Sequence, residues 1–288
     1  MDYIIITDSG SDLPEEFAAK EELAFFPLSF SIGEREYSNE GDDRLTPEEF
    51  YAQVRAGSMP RTSQVNPELA EQRLEAYLKQ EISVLYVSFS SALSGSCQTV
   101  KMIAEGLNEK YTAAKVVVVD SLCASLGQGL LISMALDLKR EGKGIDEVAE
   151  WLEEHKLHLC HYFTVNDLFH LHRGGRVSKT AAVFGSLLGV KPVLHVDDQG
   201  RLIPVAKVRG RRQSLDALVD KMKEHVGSFK NQVVFISHGD CIDDANYVRD
   251  RVEKEFGIHN IMVGFIGPVI GSHSGPGTVA LFFLGETR

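Results

Sequence analysis

Cysteine is scarce in this sequence and shows no pairing pattern. There are 4 cysteines in 288 residues, with no C-x-x-C pair and no neighbouring histidine cluster. This distribution argues against a disulfide scaffold and a thiolate zinc site, and it is typical of reduced thiols that pack in an interior. The cysteines are Cys97, Cys123, Cys160 and Cys241. We therefore expect a cytoplasmic protein.

Positive charge is also in short supply. The chain has 30 Lys and Arg against 41 Asp and Glu, a formal net charge of -11. This balance argues against sequence-independent binding of nucleic acid and against binding to an anionic membrane surface. No apolar run reaches membrane-spanning length, and Met1-Asp2-Tyr3 leads into a strand pattern without the basic segment of a signal peptide. We expect a soluble protein with no stable membrane insertion, to which any lipid must come.

Signatures of nucleotide and metal chemistry are missing as well. The sequence has no Walker loop, no kinase signature and no evident metal-ligating cluster. Gly127-Gln-Gly129 lacks the third glycine and the following acidic residue of a dinucleotide-binding loop, so we do not interpret it as one. We expect no metal and no cofactor, and any phosphoryl transfer would need the nucleotide and Mg²⁺ of another chain.

What is present is an ordinary globular composition arranged in two patterns. With 288 residues and 43% hydrophobic content, the chain can form two modest domains. Over residues 1–157, strand patterns alternate with helix patterns, which predicts a parallel α/β sheet with ligands at the carboxyl ends of its strands. Over residues 158–288, the pattern predicts an α+β domain with a mixed or antiparallel sheet.

Several local signals place the elements. Three apolar runs predict buried strands that end in small polar residues: Tyr3–Thr7, the run from Ile82, and Lys115–Asp120. Helix starts are predicted at Pro14 with Asp12 as the N-cap, and at the Thr46-Pro47 and Asn66-Pro67 pairs. Later predictions are a strand at His158–Val165, a helix at Lys179–Leu188, and a hairpin around Asp197-Asp-Gln-Gly200.

The segment from Ser91 to Ser96 is the first candidate site. It follows a buried strand and precedes a helix, so hydroxyls and backbone N–H groups converge where the helix dipole favours an anion, either phosphate or carboxylate. The alternative is that Ser94 and Ser96 serve only as helix caps. Asp8, at the end of the first strand, is either a buried acid that organises the site or a turn residue.

Two further segments carry candidate ligand groups. Thr62 and Ser63 lie in a loop that Pro60 and Pro67 keep from becoming helical, so their hydroxyls can be placed accurately or can be inert. His273 lies in Gly271-Ser-His-Ser-Gly-Pro-Gly277, which we predict to be a tightly folded loop that approaches a ligand closely. A near-neutral histidine there can donate a hydrogen bond to an anionic oxygen, or it can be structural.

Together these segments resemble the DegV family of bacterial fatty-acid-binding proteins. The motifs are Thr62-Ser63-Gln64, Ser91-Ala-Leu-Ser94-Gly95, Leu171-His-Arg-Gly-Gly-Arg176, Gly271–Gly277 and the amino-terminal Thr7-Asp8-Ser9. Each motif is short, but they occur in the family's order over nearly the whole chain.

The resemblance implies a two-domain fold that buries one long-chain fatty acid, such as palmitate or stearate, at the domain junction. It implies that Thr62 and Ser94 bind the carboxylate and that His273 lies beside it. It also implies that the protein is not itself an enzyme and presents the fatty acid to a separate kinase subunit, which makes acyl phosphate for phospholipid synthesis. Further candidates around the head group are Ser63, Gly95, Ser121 and Gly275.

An acyl chain needs a dry apolar tunnel with its few polar anchors at one end. The tunnel-wall candidates, each of which could instead be ordinary core, are Phe163, Leu168, Phe184, Leu187, Leu188, Phe265, Ile266 and Val269. The candidates for docking an acidic partner, or alternatively for surface ion pairs, are Arg173, Arg176, Arg209, Arg211 and Arg212.

Two other functions remain open at this point. In a serine hydrolase or acyltransferase, Ser94 would be the nucleophile, His273 the base, and Asp8 or Asp120 the orienting acid. A sugar-phosphate-binding protein would use the helix-start anion site, but it would leave the apolar second half unexplained.

Overall fold

The computed structural model describes residues 3–38, 40–41, 43–178, 189–229 and 232–288. The strands are β1 Tyr3–Asp8, β2 Ala24–Phe26, β3 Ser29–Ile32, β4 Arg35–Ser38, β5 Arg61–Thr62, β6 Ser83–Ser88, β7 Val116–Asp120, β8 Leu159–Thr164, β9 Val190–Val196, β10 Leu202–Arg209, β11 Val234–His238, β12 Ile261–Phe265 and β13 Val279–Leu284. The α-helices are α1 Glu15–Lys20, α2 Pro47–Arg55, α3 Pro67–Leu78, α4 Ser96–Lys110, α5 Leu126–Arg140, α6 Ile145–His155, α7 Leu168–Arg173, α8 Arg211–His225, α9 Ile242–Phe256 and α10 Pro268–Ser274. The helix predicted at 179–188 lies outside the described residues.

The first sheet is parallel. Its strands lie in the order β2, β1, β6, β7, and all three pairings are parallel. Strand β6 is buried along its whole length, as expected for a parallel sheet covered on both faces by helices. The predicted N-terminal parallel α/β sheet is therefore confirmed. At the carboxyl ends of β1 and β6, the chain enters the polar loops that contain Ser9 and Ser94.

The second sheet is mixed. It has six strands in the order β10, β9, β8, β13, β11, β12, of which only the described pair β11 and β12 is parallel. This confirms the predicted mixed sheet in the C-terminal half. A small third sheet, in the order β4, β3, β5, lies in the N-terminal half, so the predicted loop after Pro60 contains a two-residue strand.

Helix α5 lies between the two large sheets. It contacts β1 and β6 of the first sheet and β8, β11 and β13 of the second. Every residue from Leu126 to Ile132 is buried, because both sides of the helix are covered. One apolar cluster extends from Ile5 and Leu85 in the first half to Phe163 and Phe282 in the second. The two halves therefore share a core, whichever residue is taken as their boundary.

One predicted helix cap was wrong. Asp12 does not cap α1, because the residue before this helix is Pro14 and no side chain caps it. Asp12 adopts a left-handed conformation with φ of 53°. Its carboxylate accepts the amide of Gly267 at 3.0 Å and the hydroxyl of Ser125 at 2.6 Å. The carboxylate of Asp12 therefore binds Ser125 and Gly267, which are distant in sequence, and not the first turn of α1 as the local spacing predicted.

The prediction of a loop around His273 was also wrong. Residues Pro268–Ser274 form helix α10, with Pro268 in its first turn. The glycine at 271 is explained by packing, since a Cβ there would lie 2.6 Å from the Tyr51 hydroxyl oxygen. Glycine and serine have low helix propensity, so contacts with the rest of the fold stabilise this helix.

The described helices are short. The longest of them, α4, α5, α8 and α9, have 15 residues each, whereas a bilayer-spanning helix needs roughly 20 apolar residues. Within the described ranges, no helix has both the length and the apolar character needed to cross a membrane.

Candidate functional site

An apolar cavity of about 290 Å³ lies among the second sheet, α10 and the segments that follow β6 and β7 at the carboxyl edge of the first sheet. Its wall is built from both halves of the chain and is mostly hydrocarbon and aromatic. Representative lining residues are Leu28, Phe89 and Leu93 from the first half, and Phe163, Leu171 and Phe282 from the second. Such a wall suits an elongated apolar ligand.

Thr62 and His273 meet at one end of this cavity. Thr62 is on β5 and is held by pairing with Phe30 of β3, whereas His273 is in the last turn of α10. Thr62 Oγ1 and His273 Nε2 lie 2.8 Å apart, within hydrogen-bond distance, and both residues line the cavity. The fold thus places two of the predicted head-group residues in direct contact.

Ser94 lines the same cavity from the loop between β6 and α4. Its amide donates to the carbonyl of Ser90 at 3.1 Å, which closes a turn. Its Oγ accepts the amide of Ser96 at 3.2 Å and lies 3.0 Å from Ser96 Oγ. Ser96 Oγ in turn accepts the amide of Val65 at 3.0 Å, which ties this loop to the Thr62 segment. Ser94 therefore stabilises the start of α4 and also faces the cavity.

His273 is held in its neutral form. Burial lowers its pKa to about 4, and the positive charge of Arg176 adds to the effect. No group of the described residues contacts the Nδ1 atom within hydrogen-bond distance. Gly174 lies against this edge of the ring, because a Cβ at that position would be 2.1 Å from Nδ1. The imidazole therefore supplies a hydrogen bond at neutral pH without a formal charge.

Arg176 brings the positive charge. Its Nε and Nη2 donate to the carbonyl of Leu93 at 3.1 and 2.9 Å, and its Nη1 donates to the carbonyl of Gly174. These bonds position the half-buried guanidinium at the cavity wall. Burial lowers the pKa of Arg176. The hydrogen-bond partners of Arg176 in the described structure are neutral carbonyl oxygens, so its positive charge is available to an anion nearby.

Thr62, Arg176 and His273 also line a second cavity of about 470 Å³, which we call the outer cleft. The other residues of this cleft are Met59, Pro60, Arg61, His170, Arg173, Gly174 and Ser272. Because the three shared residues border both spaces, they mark the mouth of the apolar cavity. Arg61 was not singled out from the sequence, although it directly precedes Thr62.

The structure separates the secondary head-group candidates. Ser63 and Gly95 line the cavity. Ser121 does not: its Oγ accepts the amide of Cys123 at 3.0 Å. Gly275 does not either. It has φ of 77°, and a Cβ there would lie 2.7 Å from the His170 ring.

The tunnel-wall candidates divide in the same way. Phe163, Ile266 and Val269 line the cavity. Leu168 and Phe265 are not among its lining residues, which corrects their predicted place: Leu168 packs in the main apolar cluster, and the Phe265 ring lies 4.4 Å from the His238 ring. The remaining candidates, Phe184, Leu187 and Leu188, lie outside the described residues.

The candidate docking arginines do not form one group. Arg173 lies in the outer cleft and Arg176 at the mouth. Arg209, Arg211 and Arg212 line neither space. Arg211 forms an ion pair with Asp244 at 2.7 Å, and the Arg212 guanidinium lies 3.1 Å from the centre of the Tyr247 ring.

The contacts required by a Ser–His–Asp triad are not formed in the described part of the chain. His273 Nε2 contacts Thr62, and Ser94 Oγ contacts Ser96. The buried Asp8 carboxylate accepts from the Tyr86 hydroxyl at 2.8 Å and from the Phe89 amide at 2.9 Å. Asp120 accepts the amides of Ser91 and Leu122, both at 3.1 Å. Each proposed triad member is thus occupied elsewhere.

Three further polar residues, Ser125, His161 and Ser237, line the cavity but not the outer cleft, and their place here was not anticipated from the sequence. Together with Asp12, which binds Ser125 but does not line the cavity, we call them the inner polar cluster. Ser125 Oγ donates to Asp12 at 2.6 Å and lies 3.0 Å from Ser237 Oγ. Burial raises the pKa of Asp12 to about 7, opposed by hydrogen bonds from Ser125 and Gly267. Ser125 and Ser237 stand at or just beyond strand ends, the same signal that drew attention to Ser94.

Comparisons with known proteins show which family this chain and its fold resemble. The model of the DegV family, which describes its members as uncharacterised proteins, matches residues 3–286. A DegV domain-containing protein of Clostridium perfringens is 45% identical over 286 residues, covering 99% of this chain and 98% of that protein. A fatty-acid-binding DegV family protein from Thermus thermophilus has a TM-score of 0.89 at 28% identity, covering 99% and 100% of the two chains. A stearic-acid-binding protein from Eubacterium ventriosum has a TM-score of 0.88 at 25% identity, covering 99% and 98%.

Proposed function

The chain belongs to the DegV family, and on that premise we propose that it binds one long-chain fatty acid in the apolar cavity. The observation that carries this proposal is the contact between Thr62 and His273 at the mouth of a cavity whose wall is otherwise mostly apolar. A carboxylate at the mouth and a tail inside match that distribution of polar and apolar surface.

The head group is held mainly by neutral donors. If His273 Nε2–H donates to Thr62 Oγ1, the Thr62 hydroxyl is free to donate to the carboxylate. Ser94 supplies a second hydroxyl, and Arg176 supplies the positive charge that a neutral imidazole lacks. Hydrogen bonds to a charged group are worth about 1.5–3 kcal/mol each, enough to orient the acid at the mouth.

The tail supplies most of the affinity. Burial of each CH₂ group contributes about 0.8 kcal/mol, so a long acyl chain outweighs the few head-group bonds. Phe163, Ile266 and Val269 are the predicted wall residues that border this space. The head-group residues therefore decide which end of the ligand faces the outer cleft.

We further propose that the protein presents the carboxylate to a separate fatty acid kinase, which forms the acyl phosphate. The outer cleft leads from the mouth to the surface past Arg61 and Arg173. Met59 and Phe169 are respectively 65% and 49% exposed beside these cations, an arrangement suited to an acidic partner with some apolar surface. Arg209, Arg211 and Arg212 remain candidates for a wider docking surface.

Mass spectrometry of lipid extracted from the purified protein tests the binding proposal directly. We expect one fatty acid per chain in the wild type. In delipidated protein, Thr62→Val and Ser94→Ala should each weaken fatty acid binding by about tenfold to a hundredfold, because each removes one hydrogen bond to the carboxylate.

Ser31→Ala is a suitable control, because Ser31 lies on β3 opposite Arg61 and outside the cavity lining. Wild-type affinity in the Thr62 and Ser94 double variant would place the head group elsewhere. A protein that never carries or takes up fatty acid would refute the proposed function itself.

A further inference from the structure

Strand β13 and the residue that precedes it contribute three side chains to the wall of the apolar cavity, at alternate positions. They are Thr278, Ala280 and Phe282, and alternate residues of an extended chain face the same side of a sheet. The Thr278 hydroxyl donates to the carbonyl of Ser274 at 3.0 Å, one residue after His273. Thr278 therefore marks the part of this segment that is nearest to the mouth. From there to Phe282 an extended chain advances about 13 Å.

Ala280 also has cavity-lining residues beside it on both neighbouring strands. It is paired with Phe163 of β8 on one side and with Ser237 of β11 on the other. Ala280 is therefore the centre of a patch of the second sheet that borders the cavity, along β13 as well as across it. We call this patch, which consists of Phe163, Ser237, Thr278, Ala280 and Phe282, the sheet floor.

The open space of the cavity lies over the alanine. Ser237 is fully buried, whereas Ala280 and Phe163 retain 6% and 8% exposure although both lie on central strands. The intervening residue of β13, Leu281, belongs to the separate apolar cluster on the opposite face of the sheet, so the accessible surface of Ala280 is on the cavity side. A hydrocarbon tail can therefore lie on the Ala280 methyl group with the Phe163 ring beside it.

We propose that Ala280 is a specificity-determining residue, which sets how long a fatty acid tail the cavity accepts. This inference rests on the proposed fatty-acid function and specifies its ligand by chain length. A tail that is anchored at the mouth and follows β13 crosses the centre of the sheet floor before it reaches Phe282. The small side chain of alanine leaves room for it there, whereas a larger side chain would occupy the space of its methylene groups. Acids whose tails end before this position do not depend on residue 280.

Isothermal titration calorimetry on delipidated full-length protein tests this inference. The ligands are octanoic, decanoic, lauric, myristic, palmitic and stearic acid. In the wild type we expect affinity to rise about fourfold for each further methylene group, until the tail fills the cavity. In Ala280→Leu the larger side chain takes the place of a few methylene groups, so stearic acid should bind about tenfold to a hundredfold more weakly while octanoic acid stays within about twofold. Ala280→Val should change the profile in the same direction by less.

Ala245→Leu is the matched control, because it makes the same change in the apolar cluster on the opposite face of the second sheet and should keep the wild-type profile. A second measurement needs no substitution: in wild-type protein with isotope-labelled alanine methyl groups, the Ala280 methyl should show nuclear Overhauser contacts with the methylene groups of bound stearic acid. An unchanged profile in folded Ala280→Leu or Ala280→Val, or the absence of those contacts, would overturn this inference alone. Failure of every acid to bind the wild type would overturn the proposed function with it.

Discussion

His273 is a histidine whose value to the site depends on its staying neutral. Desolvation inside the fold and the nearby charge of Arg176 both oppose its protonation. A protonated ring would keep its donor at Nε2 but would add an N–H at Nδ1, a buried atom that has no hydrogen-bond partner among the described residues. The residue thus offers directional hydrogen bonding, and Arg176 supplies the charge separately.

The lowered pKa of His273 predicts that the free energy of unfolding depends on pH. The ring takes up a proton near pH 6.5 in the unfolded chain but only near pH 4 in the folded protein. Lowering the pH through this window stabilises the unfolded state, so the contribution of His273 is present above pH 6.5 and is lost as the pH falls. The free energy of unfolding of the ligand-free wild type, relative to His273→Asn, should therefore fall by about 3 kcal/mol across it.

Chemical denaturation at a series of pH values measures this difference. His259→Asn, at an exposed histidine, controls for the loss of an imidazole. A difference between wild type and His273→Asn that stays constant with pH would show that burial does not hold the ring neutral.

Residue patterns indicated part of the site and missed the rest for a physical reason. Thr62, Ser94 and His273 stand in short motifs of small polar residues, and the fold brings all three to one cavity. Ser237 and His161 occupy ordinary strand sequences. They line the cavity because of the order of strands in the second sheet, and the sequence cannot show which strands neighbour one another there.

At the scale of elements, α10 shows how packing overrides local propensity. The segment contains one glycine and two serines in seven residues and is flanked by Gly267 and Gly275, a composition that predicts a loop. In the fold it contacts α2, α7 and β3, and it becomes helical because those neighbours cover it. By contrast, the helix start predicted at Thr46-Pro47 is confirmed, since the capping box that stabilises it consists of local hydrogen bonds between Thr46 and Glu49.

The contact between α7 and α10 gives a sharp test of His273 placement. Gly174 follows α7 with an ordinary φ of -71°, so alanine there costs no backbone strain. Its Cβ would nevertheless lie 2.1 Å from His273 Nδ1. We expect Gly174→Ala to displace the ring from Thr62 and to weaken fatty acid binding by about tenfold, the loss of one hydrogen bond to a charged group.

Gly106→Ala is the control, because a Cβ at that position of α4 meets no other atom within 4 Å. In a His273→Ala background, Gly174→Ala should have no further effect on binding, as expected when two changes act through one contact. If Gly174→Ala still weakened fatty acid binding in the His273→Ala background, its effect would not arise from displacement of the His273 ring.

At the scale of the whole molecule, the apolar cavity depends on both halves of the chain. The sequence predicted a parallel sheet followed by a mixed one, and both are present. It did not predict that α5 would be buried between them. The strands that cover the second side of this helix, β8, β11 and β13, come later in the chain, and the local pattern of the helix does not indicate them. The predicted domain boundary between residues 157 and 158 stays a prediction, since the two halves share one apolar core.

The outer cleft also joins the halves, with Arg61 from one and Arg173 from the other. If it docks a kinase, Arg173→Glu should slow acyl-phosphate formation by about tenfold or more through a weaker encounter with an acidic surface, and the effect should shrink as salt is added. Arg173 does not line the apolar cavity, so fatty acid binding should be retained.

Lys223→Glu makes the same change in net charge on the exposed side of α8 and serves as the control. Acyl-phosphate formation is followed with a fatty acid kinase, ATP and the loaded protein. Equal rates for the wild type and Arg173→Glu at low salt would remove the cleft from the docking surface.

The position of α5 has a consequence for substitutions made outside the cavity. None of its residues lines the cavity, yet it packs against β8, β11 and β13, which supply Phe163 and Phe282 to the wall. Leu130 and Leu131 are almost fully buried in this helix. A change of volume at either position would therefore be transmitted to the wall through the strands, although the altered side chain never meets the cavity.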